Sequence, residues 1–212
     1  MENNELQLSD TEIVHYKKLL TNRFIENPRM SLLFNKNKKS FNKNIFNLVN
    51  YCFHIALKAN GVYVAQNKKT IVLFYEHSKL KKSFSDYCRY FNVIKGISFS
   101  NLKNVLNNEK EIKKHKLKLD NYIYVWFIAQ EEGYSSLEGL NEINKMLFRL
   151  AETAKLPILF ETSDIRLLRF YKHVGFDVYK KLDSGSETIY FFADRKTVEN
   201  YTLNTKASLI AK

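Results

Sequence analysis

Glu161 is the side chain whose type and place best suit proton chemistry. It sits near the end of a short apolar stretch, Leu156-Pro157-Ile158-Leu159-Phe160-Glu161-Thr162. A carboxylate at the carboxyl end of a strand can act as a base. Beside Thr162 and Ser163 it could equally serve as a capping or hydrogen-bonding group. Glu76, Glu131 and Glu132 could line a cleft, but solvated loop carboxylates are the commoner outcome. Tyr171 is one of 13 tyrosines, and taken alone it reads as an aromatic filling a helix–sheet core. The histidines His15, His54, His77, His115 and His173 show no metal-ligand spacing, and Cys52 and Cys88 lie far apart, so no metal is expected. There is no Gly-x-Ser-x-Gly elbow and no Walker loop.

Bulk properties narrow the partners. The chain of 212 residues is long enough for one sizeable core. With 45% hydrophobic residues, 2 Pro and 6 Gly it has a globular composition. No apolar run approaches the ~20 residues that span a bilayer. The acidic, polar start, Met1-Glu2-Asn3-Asn4-Glu5, is no secretory signal, so the expected place is the cytoplasm, with both thiols reduced. The net charge is +12. Its source is mainly Lys interleaved with Asn, as in Asn35-Lys36-Asn37-Lys38-Lys39, whereas base readers favour Arg forks. A solvated basic surface is therefore favoured over a nucleic-acid footprint. Such a surface also suits an anionic ligand with several phosphates.

The elements follow from periodicity and caps. Ser9-Asp10-Thr11-Glu12 is a capping box, and Ile13, Tyr16, Leu19, Leu20 and Phe24 continue at helical spacing until Asn27-Pro28. A second helix is expected from Phe41 to Ala59, closed by Asn60-Gly61. Residues 61–65 and 70–75 read as an antiparallel hairpin. Ser78 and Ser100 are expected to cap helices through Phe91 and about Lys116. The nearly unbroken apolar run from Tyr122 to Ala129 reads as a strand buried on both faces. A polar loop, Gln130 to Ser136, then leads into a helix through Ala154. The short strand ending in Glu161-Thr162 comes next, then a helix capped by Ser163-Asp164 and carrying Leu167, Leu168, Phe170 and Tyr171. His173-Val174-Gly175-Phe176 launches another strand, residues 181–186 form a hairpin loop, and Thr188 to Ala193 is the last strand. A buried strand, loop, helix and parallel strand make a mononucleotide-type unit, which binds ligands at the carboxyl ends of its strands. Amides at the N-terminus of its helix can hold phosphates.

Two stretches carry a family resemblance. Leu156 to Ser163, followed by Phe170-Tyr171-Lys172-His173-Val174-Gly175-Phe176, resembles the cofactor-binding half of the GCN5-related N-acetyltransferase superfamily, in which a strand ending in Glu-Thr precedes a helix with Phe-Tyr and then Gly-Phe. The order of elements agrees over about residues 10–194, and the motif over about 121–176. The resemblance implies one α/β (α+β) domain over 1–195. Its central twisted sheet would be mixed and mostly antiparallel, with helices on both faces and strands splayed at the cofactor site. N-terminal helices and a hairpin would fill 1–116, the cofactor half 121–176, and a polar tail 196–212.

The resemblance also implies roles. The activity is direct transfer of an acetyl group from acetyl-CoA to a primary amine of a small molecule or peptide. Tyr171 would protonate the leaving thiolate, and Glu161 would be the base or bind the amine. An amide around Ala129 or Gln130 would face the developing oxyanion. Cofactor contacts are expected at Ile128, Ala129, Gln130, Ser136, Glu138, Gly139, Leu140 and Arg166. The chain departs from the family at the pyrophosphate loop. There Glu138 and Leu140 replace two glycines, Ser135 replaces a long polar residue, and Gly133 and Gly139 fall out of register. A carboxylate such as Glu138 repels a pyrophosphate, and Leu167 stands where an Asn is common. A non-catalytic binding or regulatory protein of the same fold is therefore an alternative, and a basic nucleic-acid-binding protein a second. The acceptor would be chosen by loops near 36–40 and 184–186.

Overall fold

The computed structural model describes residues 8–81, 83–97, 99–134, 136–183 and 187–210. Met1 to Glu5, Ser135, residues 184–186 and the last two residues of the expected tail lie outside them. The elements run α1 (Asp10–Ile25), α2 (Pro28–Leu33), α3 (Phe41–Lys58), β1 (Val62–Val64), β2 (Thr70–Glu76), α4 (Phe84–Gly96), α5 (Phe99–His115), β3 (Ile123–Gln130), α6 (Glu138–Ala154), β4 (Ile158–Thr162), α7 (Leu168–His173), β5 (Phe176–Asp183), β6 (Thr188–Asp194) and α8 (Arg195–Ile210).

Local chemistry explains the boundaries. The Ser9 amide donates to Glu12, and the Ser9 hydroxyl accepts from the Glu12 amide, so the expected capping box opens α1. Pro28 ends α1 and also begins α2, where Asn27 accepts from the Arg29 amide and proline's missing N–H costs nothing at the first helical position. Ser78 does not cap α4. Ser83 does, through a buried Asp86 that accepts from its amide and its hydroxyl. The stretch expected as a polar tail is helical: Asp194 accepts from the Thr197 amide and hydroxyl and so starts α8. Its apolar residues are sparse, which is why periodicity did not show it. β5 extends through Asp183, into what was expected to be a hairpin loop.

The six strands form one open mixed sheet in the order β1-β2-β3-β4-β6-β5. β1/β2, β2/β3, β4/β6 and β5/β6 are antiparallel, and β3/β4 is parallel. Alternate side chains supply two cores. Ile71, Leu73 and Ala129 pack with α1 and α3 on one face, where Leu20, Ile45 and Phe53 are fully buried. Val72, Phe74, Val125, Ile158 and Phe160 pack under α6 on the other, against Ile143 and Leu147. A small third cluster joins Leu117, Tyr124, Leu159 and Ala193, with Val198 of α8 beside it.

Two irregularities shape the sheet centre. Leu73 pairs with Phe127 and Phe74 with Val125, so Trp126 is an extra residue in β3, a β-bulge. β3 and β4 are in register at Ile123↔Ile158 and Tyr124↔Leu159, and no pairing continues beyond these among the described residues.

Candidate active site at the parting of two strands

β4 leaves β3 after Leu159 while its other edge stays paired: Leu159, Phe160, Glu161 and Thr162 pair in sequence with Ala193, Phe192, Phe191 and Tyr190 of β6. β3 instead stays with β2 as far as Gln130. The backbone edge of β3 beyond Tyr124 thus has no strand opposite it. A cleft of about 1450 Å³ runs through this gap to both faces of the sheet.

On the α6 face the cleft is lined by Ile128, Leu140, Ile143, Asn144 and Tyr171. The Tyr171 ring is held by Phe160 at 4.6 Å, Phe192 at 5.3 Å and Phe170 at 5.6 Å between centroids. Burial, with some help from the Asp164 charge, pushes its hydroxyl up to about 12. It therefore carries its proton throughout the neutral range and can donate. Gly175 ends α7 at φ 102°, a conformation open to glycine, and this sharp exit lets Phe176 turn back into the core against Phe160.

On the opposite face stands Glu161. Its side chain is 16% exposed, and its Oε2 is buried with no hydrogen-bond partner. The nearest cation is Lys116, just after α5, whose Nζ lies 3.5 Å from that oxygen and 3.9 Å from the centre of the Tyr124 ring. Burial lowers the Lys116 pKa, and the Glu161 charge offsets part of that. Burial pushes Tyr124 well above the usual phenol range, and the carboxylate adds to it. Tyr122 rises for the same two reasons, and Tyr75 rises through burial first, then the neighbouring Tyr122 and the Glu161 charge. Glu161 is thus a largely buried carboxylate lining the cleft, with Lys116 as its ion-pair partner.

The loop between β3 and α6 is braced. The Gln130 side-chain amide donates to the Ser136 carbonyl at 2.8 Å and to Thr70 Oγ1 at 3.4 Å. Arg23 of α1 reaches across to donate to the Gln130 and Glu131 carbonyls. The Ser136 hydroxyl accepts from the Glu138 amide. A Cβ on Gly139 would lie 2.2 Å from Thr70 Oγ1 and 2.5 Å from Asn67 Nδ2, so this glycine lets α6 seat on the β1–β2 hairpin. Leu137, the residue before α6, makes no side-chain cap.

Of the residues singled out in the sequence, Tyr171, Glu161, Ile128, Leu140 and Arg166 line the cleft. Arg166 is 85% exposed at the rim and is held by Asp164 in a two-pronged pair at 2.9 and 2.7 Å. Ala129 is buried under α1 and α3, and Gln130, Ser136, Glu138 and Gly139 lie in the loop and first turn between β3 and α6 without lining the cleft. Glu138 itself is exposed. Glu76 is taken up by Lys79, Asn121 and Ser78, and neither Glu131 nor Glu132 lines the cleft. The loop at 36–40 does not reach it either. Arg29 of α2 does, bridged to Glu187 at 2.9 Å just beyond the undescribed 184–186. Sequence reasoning missed Lys116, Trp126 and Arg23. Lys116 sits in a run of helix-end lysines, and nothing in the sequence separates it from its solvated neighbours.

Among the described residues no group of three or more His, Cys, Asp or Glu side chains is arranged to hold a metal ion, and no helix is long and apolar enough to cross a membrane. No protein-family model and no curated protein matches the chain. Solved structures do match in fold. A histone acetyltransferase HPA2-related acetyltransferase from Corynebacterium glutamicum is 12% identical over 88% of this chain and 92% of its own, with a TM-score of 0.56. Agmatine N-acetyltransferase is 9% identical over 88% and 96%, with a TM-score of 0.56. Arylalkylamine N-acetyltransferase 2 from Aedes aegypti is 10% identical over 88% and 95%, also at 0.56. The chain has the fold of the GCN5-related N-acetyltransferase superfamily.

Proposed function

We propose that the chain is an acetyl-CoA-dependent N-acetyltransferase acting on a primary amine of a small molecule or peptide. The observation that carries this is the early parting of β3 from β4, with Tyr171 on one face of β4 and a largely buried Glu161, paired with Lys116, on the other. The agmatine and arylalkylamine enzymes that share the fold support an amine acceptor.

The residues suit the cofactor at its acyl end. The open edge of β3 offers N–H groups to the acyl chain and to the charge that develops on the acyl oxygen. At the phosphate end, the first turn of α6, where Ser136 takes the Glu138 amide, would supply amides at Gly139 and Leu140, and Arg166 would supply a cation. Acetyl-CoA brings an activated acyl thioester. Glu161 takes a proton from the incoming ammonium so that its nitrogen lone pair is free to attack. Tyr171, which keeps its proton, would donate a hydrogen bond to the leaving thiolate. Residues on the α6 face would hold the cofactor, and the Glu161 face would be left for the acceptor.

The Glu138 carboxylate in the first turn of α6 and the Asp164 partner on Arg166 favour a second reading, a binding protein of this fold without turnover. One experiment separates the two. Acetyl-CoA is added to the full chain, the melting temperature is followed, and thiol release is then measured with a panel of amines. A rise in melting temperature with thiol release supports the enzyme. A rise without release from any amine supports the binding protein, and no rise at millimolar acetyl-CoA sinks both.

A further inference from the structure

The Glu161 side of the cleft already holds an amine of the chain's own. Lys116 lines it, and its side chain keeps 22% exposure there. The backbone that presents this lysine is fixed. Its amide donates to the Ile112 carbonyl at 3.1 Å, and the next residue, Leu117, is buried with Tyr124, Leu159 and Ala193. The side chain lies over Tyr124, with Nζ 3.9 Å from the ring centre. Tyr124 is the last described residue of β3 that pairs with β4, so this nitrogen stands where the gap begins.

Its surroundings hold the amine in place without locking it. Nζ lies 3.5 Å from Glu161 Oε2, against 2.7 Å for Lys79 on Glu76 and 2.6 Å for Lys114 on Glu111. A tight charge-assisted pair sits at about 2.7–2.9 Å. Burial works against the ammonium form and Lys113 adds to that, while Glu161 and Glu109 work for it; burial outweighs them. The phenols of Tyr75, Tyr122 and Tyr124 are all pushed up, so they bring no charge at neutral pH.

We propose that Lys116 is itself an acyl acceptor, and that its Nζ takes the acetyl group of acetyl-CoA in the gap, modifying the chain at the place where an external amine would react. The freed lone pair on Nζ adds to the thioester carbonyl carbon, a C–N bond forms and the C–S bond breaks. Of the two protons that nitrogen loses, one goes to Glu161 and one ends on the sulfur. The products are an amide, a thiol and a protonated Glu161 that water then discharges. The amide carries no charge, so the modified chain keeps Glu161 without its cation. The inference rests on the acyl-transfer reading of the same cleft.

The full chain is incubated with acetyl-CoA and no amine, treated with hydroxylamine to strip any thioester at the exposed Cys88, and mapped by peptide mass. The expected result is one acetyl group on Lys116, gained about tenfold or more faster than on the exposed Lys114 and Lys118, because only Lys116 is held beside the gap. The rate per chain should not change on dilution of the protein, and Lys116→Arg should abolish the fast phase. Freed of CoA, the modified chain should melt below the unmodified one, since a buried carboxylate has lost its counter-charge. Labelling of Lys116 no faster than of Lys114 and Lys118 overturns the inference, as does a rate that falls on dilution or an unchanged melting profile after modification. Thiol release with a panel of amines keeps the two readings apart. Release without acetyl-Lys116 overturns the inference and leaves the amine acetyltransferase standing. Acetyl-Lys116 with no release beyond one thiol per chain supports the inference and removes the external acceptor.

Discussion

Lys116→Met, Glu161→Gln and the double variant form a cycle whose coupling follows from one distance. Unit charges 3.5 Å apart attract by about 5 kcal/mol at an effective dielectric of ~20. Both side chains keep some contact with water, at 22% and 16% exposure, and holding a lysine chain costs rotamer entropy. A coupling of about 1–3 kcal/mol is what survives. Each single change should cost about that much or more, since it leaves the other partner buried without its counter-charge. The double variant should cost less than the sum of the two, by about the coupling. Urea unfolding followed by Trp126 emission and by far-ultraviolet circular dichroism reads these differences against a total of about 5–15 kcal/mol. The pH dependence has a definite sign. Burial holds the Lys116 pKa below 10.5, so the coupling is present below that lowered value and fades as the pH rises through it. Additive single changes, within about 0.5 kcal/mol at pH 7, would show that the two groups do not act as a pair.

Tyr171→Phe should lower kcat about 10²- to 10⁴-fold while leaving the acetyl-CoA-induced rise in melting temperature intact; undiminished turnover removes Tyr171 from the reaction. Because its hydroxyl sits at about 12, no alkaline loss of activity due to Tyr171 should appear until pH approaches that value. Gly139→Ala should destabilise by about 1–3 kcal/mol in thermal unfolding, since its Cβ would meet Thr70 and Asn67, and Thr70→Ala should relieve part of that cost. Asp86→Ala should cost about 1–3 kcal/mol by stranding the Ser83 amide and the Lys58 end of α3. Burial alone would raise the Asp86 pKa, but bonds from Lys58, Ser83 and His54 outweigh it and hold the carboxyl well below its usual range. Its contribution is therefore complete above about pH 4 and is lost as the pH falls through the depressed value, so the acid-unfolding midpoint should move up in the alanine variant.

The sequence made legible what local pattern encodes. The apolar run at 122–129 became β3, and the Glu-Thr strand with Phe-Tyr and Gly-Phe became β4, α7 and the turn into β5. That was enough to give the parallel β3–α6–β4 unit and to bring Tyr171 and Glu161 to one cleft. What stayed hidden depends on contacts distant in sequence. Lys116 acquires its place because the end of α5 packs over Tyr124, and Arg23 because α1 crosses the end of β3. Gly139 could be read as a phosphate-loop glycine from its neighbours alone, yet Thr70, far away in the chain, also demands a glycine there. The capping side chain at α4 was misplaced because Ser78 and Ser83 look alike until Asp86 is seen to be buried.

The bulge at Trp126 links the two halves of the site. An extra residue on one strand bends it and increases its right-handed twist. Beyond the bulge β3 follows β2, while β4, bound to β6 over four successive pairs, cannot follow β3. The gap that opens the backbone edge therefore arises beside the very residue that turns Trp126 and Phe127 into the opposite face. Removing the extra residue should do two things at once: flip the rings by one position, since register and facing are tied in a strand, and let β3 run on beside β4. The opening beside β3 and the turn of Trp126 and Phe127 to one face are in this chain consequences of the same inserted residue.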